Sequence, residues 1–187
     1  MNPGAIAALA LPVALSAPAA TLESHAFEFA AGRSTYHFEA LVQAPAAEVS
    51  ETLVNPGRIA RTNDGIRESR VVSRDADGSF VREIRMEQCV IGICFDIRFV
   101  EEVREAGEGI LEVRQLPNVG TFRRGNARWT VTSLGNGETR LTMQADQEPS
   151  FWVPPIIGPY LMRRAFEHEV RETVRKIEEI SSAASLR

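Results

Sequence analysis

The groups that could do chemistry are few and scattered. Three histidines (His25, His37, His168) and two cysteines (Cys89, Cys94) are the only side chains of their kinds in 187 residues. A tetrahedral zinc site takes about four such ligands, and C-x4-C is not the C-x-x-C of a redox motif. The chain has no G-x-S-x-G elbow, no glycine-rich phosphate loop and no H-E-x-x-H helix. His37 alternates with Tyr36 and Phe38 and so points away from them. His168 falls on the charged side of a helical repeat, and His25 lies in the N-terminal tail. The expectation is no catalytic set, no metal and no cofactor. Arg98, Arg124 and Arg128 sit in strand-like stretches with two open readings: headgroup anchors inside a cavity, or an outer face laced with glutamate.

The cysteines depend on the compartment. In "QCVIGICF", Cys89 and Cys94 flank four residues. As the ends of a hairpin loop they would face each other with Cβ atoms roughly 4.5–5.5 Å apart, near disulfide geometry. At the N-terminus, the first charged residue is Glu23, and an apolar run spans Ala5 to Leu11. That run is too short to cross a membrane, which takes roughly 20 residues. It suits a signal-peptide core, with Ala17-Pro18-Ala19 as the small residues a signal peptidase accepts, although no Lys or Arg precedes it. The alternative is a frayed tail or a misassigned start. The division expected is a leader over 1–20 and one domain over 21–187, periplasmic or secreted. A disulfide persists there; the other reading is two buried thiols acting as small hydrophobes. A closed hairpin would present Val90, Ile91 and Ile93 as an apolar tip for transient membrane contact, unless it folds under neighbouring loops.

The elements that must position any site follow from periodicity. Tyr36, Phe38, Ala40 and Val42 alternate as a half-buried strand. "PAAEVSETL" opens on a helix-starting proline, and Asn55-Pro56-Gly57 ends it. "GRIARTND" reads as a second helical turn or a loop. Six further strands follow from Ile66, punctuated by Asp75–Gly78, Ala106–Gly109, Pro117-Asn118 and Gly135–Gly137. From Pro159 to about Ser182 an amphipathic helix carries Met162, Phe166, Val170, Val174, Ile177 and Ile180 on one stripe. Only a sheet is broad enough to cover that stripe, so an antiparallel meander curling round one long helix is expected. A net charge of -4 gives nucleic acid no attraction.

This α+β order, a strand, two short helices, six strands and a long C-terminal helix, resembles the START-like superfamily, the polyketide cyclase/dehydrase and lipid-transport group with the helix-grip fold. The likeness is carried by "ALVQAPAAEVSETLVNP", "RWTVTSL…TRLTMQAD" and "FWVPPIIGPYLMRRAFEHEVRETVRKIE", and spans about Tyr36 to Ile180. The resemblance implies a cavity between sheet and helix that binds a hydrophobic small molecule such as a lipid, sterol, quinone or polyketide. Tyr36, Phe38, Met86, Phe95, Phe99, Met143 and Phe166 are the candidates for its wall; Trp152 and Tyr160 are candidates for its opening. Non-catalytic binding is the first expectation. A cyclase/aromatase-type enzyme and an interaction module with a filled cavity are the alternatives.

Overall fold

The computed structural model describes residues 19–90 and 92–185, without the side chains of Val90 and Ile93. The expected leader and the expected apolar tip at Val90, Ile91 and Ile93 therefore lie almost wholly outside what is described. The elements run β1 (Thr21–Ala30), β2 (Arg33–Val42), α1 (Ala46–Val54), α2 (Pro56–Ile59), β3 (Ile66–Arg74), β4 (Phe80–Val90), β5 (Ile93–Gly107), β6 (Ile110–Gln115), β7 (Phe122–Gly135), β8 (Glu138–Pro149) and α3 (Ile157–Ser185). All strands join one antiparallel sheet in the order β1-β2-β8-β7-β6-β5-β4-β3.

Two short helices fill the gap between β2 and β3, as their punctuation suggests. Asn55 ends α1 and caps α2: its side chain accepts from the backbone N–H groups of Gly57 and Arg58, and Pro56 takes the first turn. The six strands after them form the expected meander. The eighth strand, β1, corrects the placing of His25 in a tail. A register shift between Leu22 and Ser24 breaks the alternation that would have revealed it. Its turn to β2 is Ala31-Gly32, with φ of 50° and 77°, and Ala31 is not a residue that announces a left-handed turn.

Helix α3 touches both flanks of the sheet. Phe166 packs on Phe27 of β1, and Glu169 accepts a hydrogen bond from Gln88 of β4. These strands are six positions apart, roughly 29 Å if the sheet were flat, whereas a helix is about 10–12 Å across. The sheet must therefore curl round the helix. The C-terminal half of α3 is sealed in: Val170, Val174, Ile177 and Ile180 are buried, and the first three join Phe38, Ala40, Val42, Val49, Leu53 and Leu141 in one core. Glu178 fixes its end by accepting from the backbone N–H groups of Ala20 and Gln43.

The outer face is held by charge. Glu83 is almost fully covered yet accepts from Arg98, Arg85 and Arg70 at 2.7, 2.9 and 2.5 Å. Those guanidinium groups, Arg98 first, hold its carboxyl down to about 2. A carboxyl depressed in the folded state stabilises the fold above its ordinary range and loses that contribution as pH falls towards 2. Melting curves taken between pH 5 and pH 2 should fall less steeply for Glu83→Gln than for the wild type. Parallel curves would mean that the cluster contributes nothing.

Candidate ligand-binding site

Successive inward residues on the meander change character along each strand. On β5 these are Val103, Glu101, Phe99, Ile97 and Phe95, passing from sealed to half-buried to 48% exposed. On β4 the sequence Phe80, Arg82, Ile84, Met86 follows the same course. The inner face is thus a filled core near α1 and an open apolar wall towards the other end. Helix α3 changes in parallel, since Leu161, Met162, Ala165 and Phe166 are only half-buried.

The candidate residues divide into four places. Tyr36 and Phe166 lie 5.1 Å apart between ring centroids, with Phe27 at 5.3 Å from Tyr36, forming an aromatic trio under α3. Burial pushes the Tyr36 phenol up, so it keeps its proton as a hydrogen-bond donor. Met86 and Phe99 belong to the open wall, and Phe99 stacks on Phe122 at 5.1 Å. Phe38 is packed edge-on against Trp129 with 2% exposure and fills the core, with Met143 opposite both. Phe95, Trp152 and Tyr160 are exposed. Phe122 escaped the sequence reading because a register shift between Phe122 and Arg124 masks its parity.

The exposed apolar residues converge on one end of the molecule. Ser150 donates its backbone N–H to Thr121, and Thr121 donates to Arg98, so the β8–α3 connection, the β6–β7 loop and β5 lie side by side. Among the described residues, nine large apolar side chains are exposed. Seven belong to this end: Phe95, Val119, Phe151, Trp152, Ile156, Ile157 and Tyr160. Exposed arginines flank them: Arg33 at the β1–β2 turn, Arg123 and Arg124 at the start of β7, and Arg163 and Arg164 in α3. Beyond them projects the β4–β5 hairpin. Its ladder runs on to Val90 and Ile93, so the connection has two residues rather than the expected four, with Gly92 at φ 75°. Cys89 and Cys94 face each other there, both exposed, with sulfurs 2.05 Å apart.

Charge also enters the inner face, through Arg82 and Glu101 rather than through the three arginines the sequence singled out. Arg82 donates through Nε and Nη2 to Glu101 at 2.9 and 2.6 Å, and through Nη1 to the Leu53 carbonyl at the end of α1. Gln115 donates to the other Glu101 oxygen at 3.1 Å. The signal was present, because Arg82 shares the parity of Phe80 and Ile84; its partner depends on register.

Arg98, Arg124 and Arg128 all follow the bland reading. They face outward and pair with Glu83, Glu148 and Glu112. The outer face also holds a recess of about 800 Å³, lined by His37, Arg104, Glu112, Arg114, Arg128 and Asp146 among others. Its charges are matched within it, Arg104 and Arg128 on Glu112 and Arg114 on Glu102. A smaller cleft of about 270 Å³ lies between α1 and the β5–β6 turn.

A curved antiparallel sheet closed on one long helix, with an apolar inner wall that opens at one end, defines a START-like helix-grip protein. The model of the family described as polyketide cyclase/dehydrase and lipid transport matches residues 35–181, and the chain belongs to that family. Among solved structures it is similar to the Zhui aromatase/cyclase from Streptomyces sp. R1128, at 13% identity and a TM-score of 0.66, covering 83% of this chain and 96% of that one. A START superfamily protein from Mycobacterium smegmatis aligns at 19% identity and TM-score 0.63, over 78% and 98% of the two chains. The lipid transfer and protein localization domain of human StarD13 aligns at 13% and 0.61, over 87% and 88%. No curated protein matches the chain in sequence. At these identities the solved structures establish the fold.

Proposed function

We propose that the protein carries a hydrophobic small molecule and takes it up or releases it at a bilayer. The observation that supports this most is the coincidence of two gradients. The inner wall opens at the same end where, among the described residues, seven of nine exposed large apolar side chains gather. Grease at a surface is costly unless something covers it. A bilayer fits because Arg163 and Arg164 of α3, which are exposed beside this end while Arg33, Arg123 and Arg124 pair with Asp146 and Glu148, suit anionic headgroups, each worth about 1 kcal/mol near such a surface. No helix among the described residues is long and apolar enough to cross a membrane, so contact would be peripheral. A cyclase-type enzyme would need ionisable groups aimed into the wall. The charged pair described there, Arg82 with Glu101, is instead bonded to itself and to the backbone.

Native mass spectrometry of gently purified protein is expected to show a lipid-sized adduct that is lost on denaturation. Repeated empty spectra would count decisively against the carrier. Export and oxidation of the cysteines belong to the same reading. Cell-derived protein treated with a thiol-alkylating reagent is expected to gain no mass until it is reduced, and its N-terminus is expected near Thr21. Two alkylated thiols without reductant would refute the staple.

A further inference from the structure

The outer face of the β4–β5 hairpin gathers metal-binding groups that the apolar wall does not use. Residues paired across antiparallel strands share a face, as do residues two apart along one strand. Cys89 stands opposite Cys94 and Glu87 opposite Asp96, so all four side chains lie on one surface. Glu83 and Arg85 continue it, whereas the intervening Gln88 points the other way, to Glu169 of α3. The surface is therefore the side of the sheet turned away from the helix. There a Glu87 carboxylate oxygen and both sulfurs lie within 4.8 Å of one another. Cys89, Cys94 and Asp96 are exposed. Histidines were the only partners the sequence offered the cysteines; strand register supplies carboxylates.

In the oxidised protein the two sulfurs are bonded to each other. A small thiol or a dithiol oxidoreductase opens that bond by exchange, giving two cysteine thiols and one disulfide of the reductant. A metal ion then displaces both thiol protons and meets two thiolates, carried by residues whose Cα atoms are 3.9 Å apart. Tetrahedral zinc, with Zn–S bonds of about 2.3 Å, holds its sulfurs about 3.8 Å apart. Side chains projecting in parallel from such a pair provide that spacing. Glu87 is already oriented, because Arg67 donates to its Oε1 at 2.6 Å and leaves Oε2 for a metal. Ligating carboxylates are commonly supported in this way. Two thiolates with a carboxylate suit zinc, whereas magnesium and calcium take oxygen ligands. Asp96 adds negative charge on the same face and, among the described residues, is engaged in no ion pair.

We propose that the reduced hairpin is a zinc site, with Cys89, Cys94 and Glu87 as its protein ligands and water in the fourth position. Zinc then closes the hairpin in place of the disulfide, so the tip is fastened in both redox states. The site is on the opposite side of the sheet from α3 and does not depend on the carrier reading.

Cobalt(II) titrated into the reduced full chain under nitrogen tests it, since cobalt takes zinc sites and reports thiolate ligands by a near-ultraviolet charge-transfer band. The band is expected to saturate at one equivalent and to vanish when one equivalent of zinc is added. Cys89→Ser and Cys94→Ser should lack it, as should protein kept oxidised. Glu87→Gln should weaken cobalt at least roughly tenfold, no less than the loss of a group that merely supports a ligand. One equivalent of zinc should also shield both cysteines of the reduced protein from alkylation, a readout that needs no variant. No band in the wild type, or alkylation unaffected by zinc, would overturn the site. Equal cobalt affinity in the wild type and Glu87→Gln would overturn it too, leaving a bare thiol pair. None of these results touches the carrier, which the lipid adduct tests separately.

Discussion

Arg82→Met is expected to destabilise the protein by about 3–5 kcal/mol, a drop of roughly 10 °C in melting temperature for a domain of this size. The cause is what the substitution leaves behind. Glu101 is 6% exposed and would keep one donor, Gln115, in place of three. An uncompensated buried carboxylate is far more costly than a missing pair. The end of α1 also loses its tether, because the Leu53 carbonyl accepts from Arg82. Adding Glu101→Leu to Arg82→Met removes the stranded charge and should recover most of the loss. Urea unfolding of the two singles and the double closes the cycle. A single-variant loss below about 1 kcal/mol, the size of an exposed pair, would show that the pair is hydrated rather than buried.

The pair Trp152→Asp and Ile156→Asp should weaken binding to phosphatidylglycerol/phosphatidylethanolamine vesicles by roughly 100-fold. Trp152 and Ile156 are 76% and 92% exposed, so neither contributes much to the folded interior, and the melting temperature should hardly move. In a bilayer each would bury an apolar surface worth about 1.5–3 kcal/mol, so even the lower figure, lost twice, reaches the stated factor. Flotation of wild type and variant with labelled vesicles reads this directly. Unchanged flotation, or a wild type that never floats, would remove the bilayer from the proposed function.

Local pattern carried much of the fold because burial repeats at the period of the element. Strand alternation from Tyr36, the breaks at Asn55-Pro56-Gly57 and at Gly135–Gly137, and the α3 stripe all state which face is buried without reference to a partner. Where the period slips, legibility stops. Register shifts at Leu22/Ser24 and Phe122/Arg124 hid β1 and the inward-facing Phe122. Nor could the pattern separate core from wall. Phe38 and Phe99 look alike along their strands, yet one is sealed against Trp129 and the other is half-open beside Phe122.

The chain alone therefore determined the class of elements, their order and the need for a sheet to cover α3, because these depend on neighbours three or four residues away. The tertiary structure decided what lies across from what. It set Arg82 opposite Glu101, brought Gln115 onto the other Glu101 oxygen, and gathered Phe95, Val119 and Trp152 at one end. Contacts between residues so distant in sequence are fixed by strand register and sheet curvature, which are properties of the whole sheet and of no single segment.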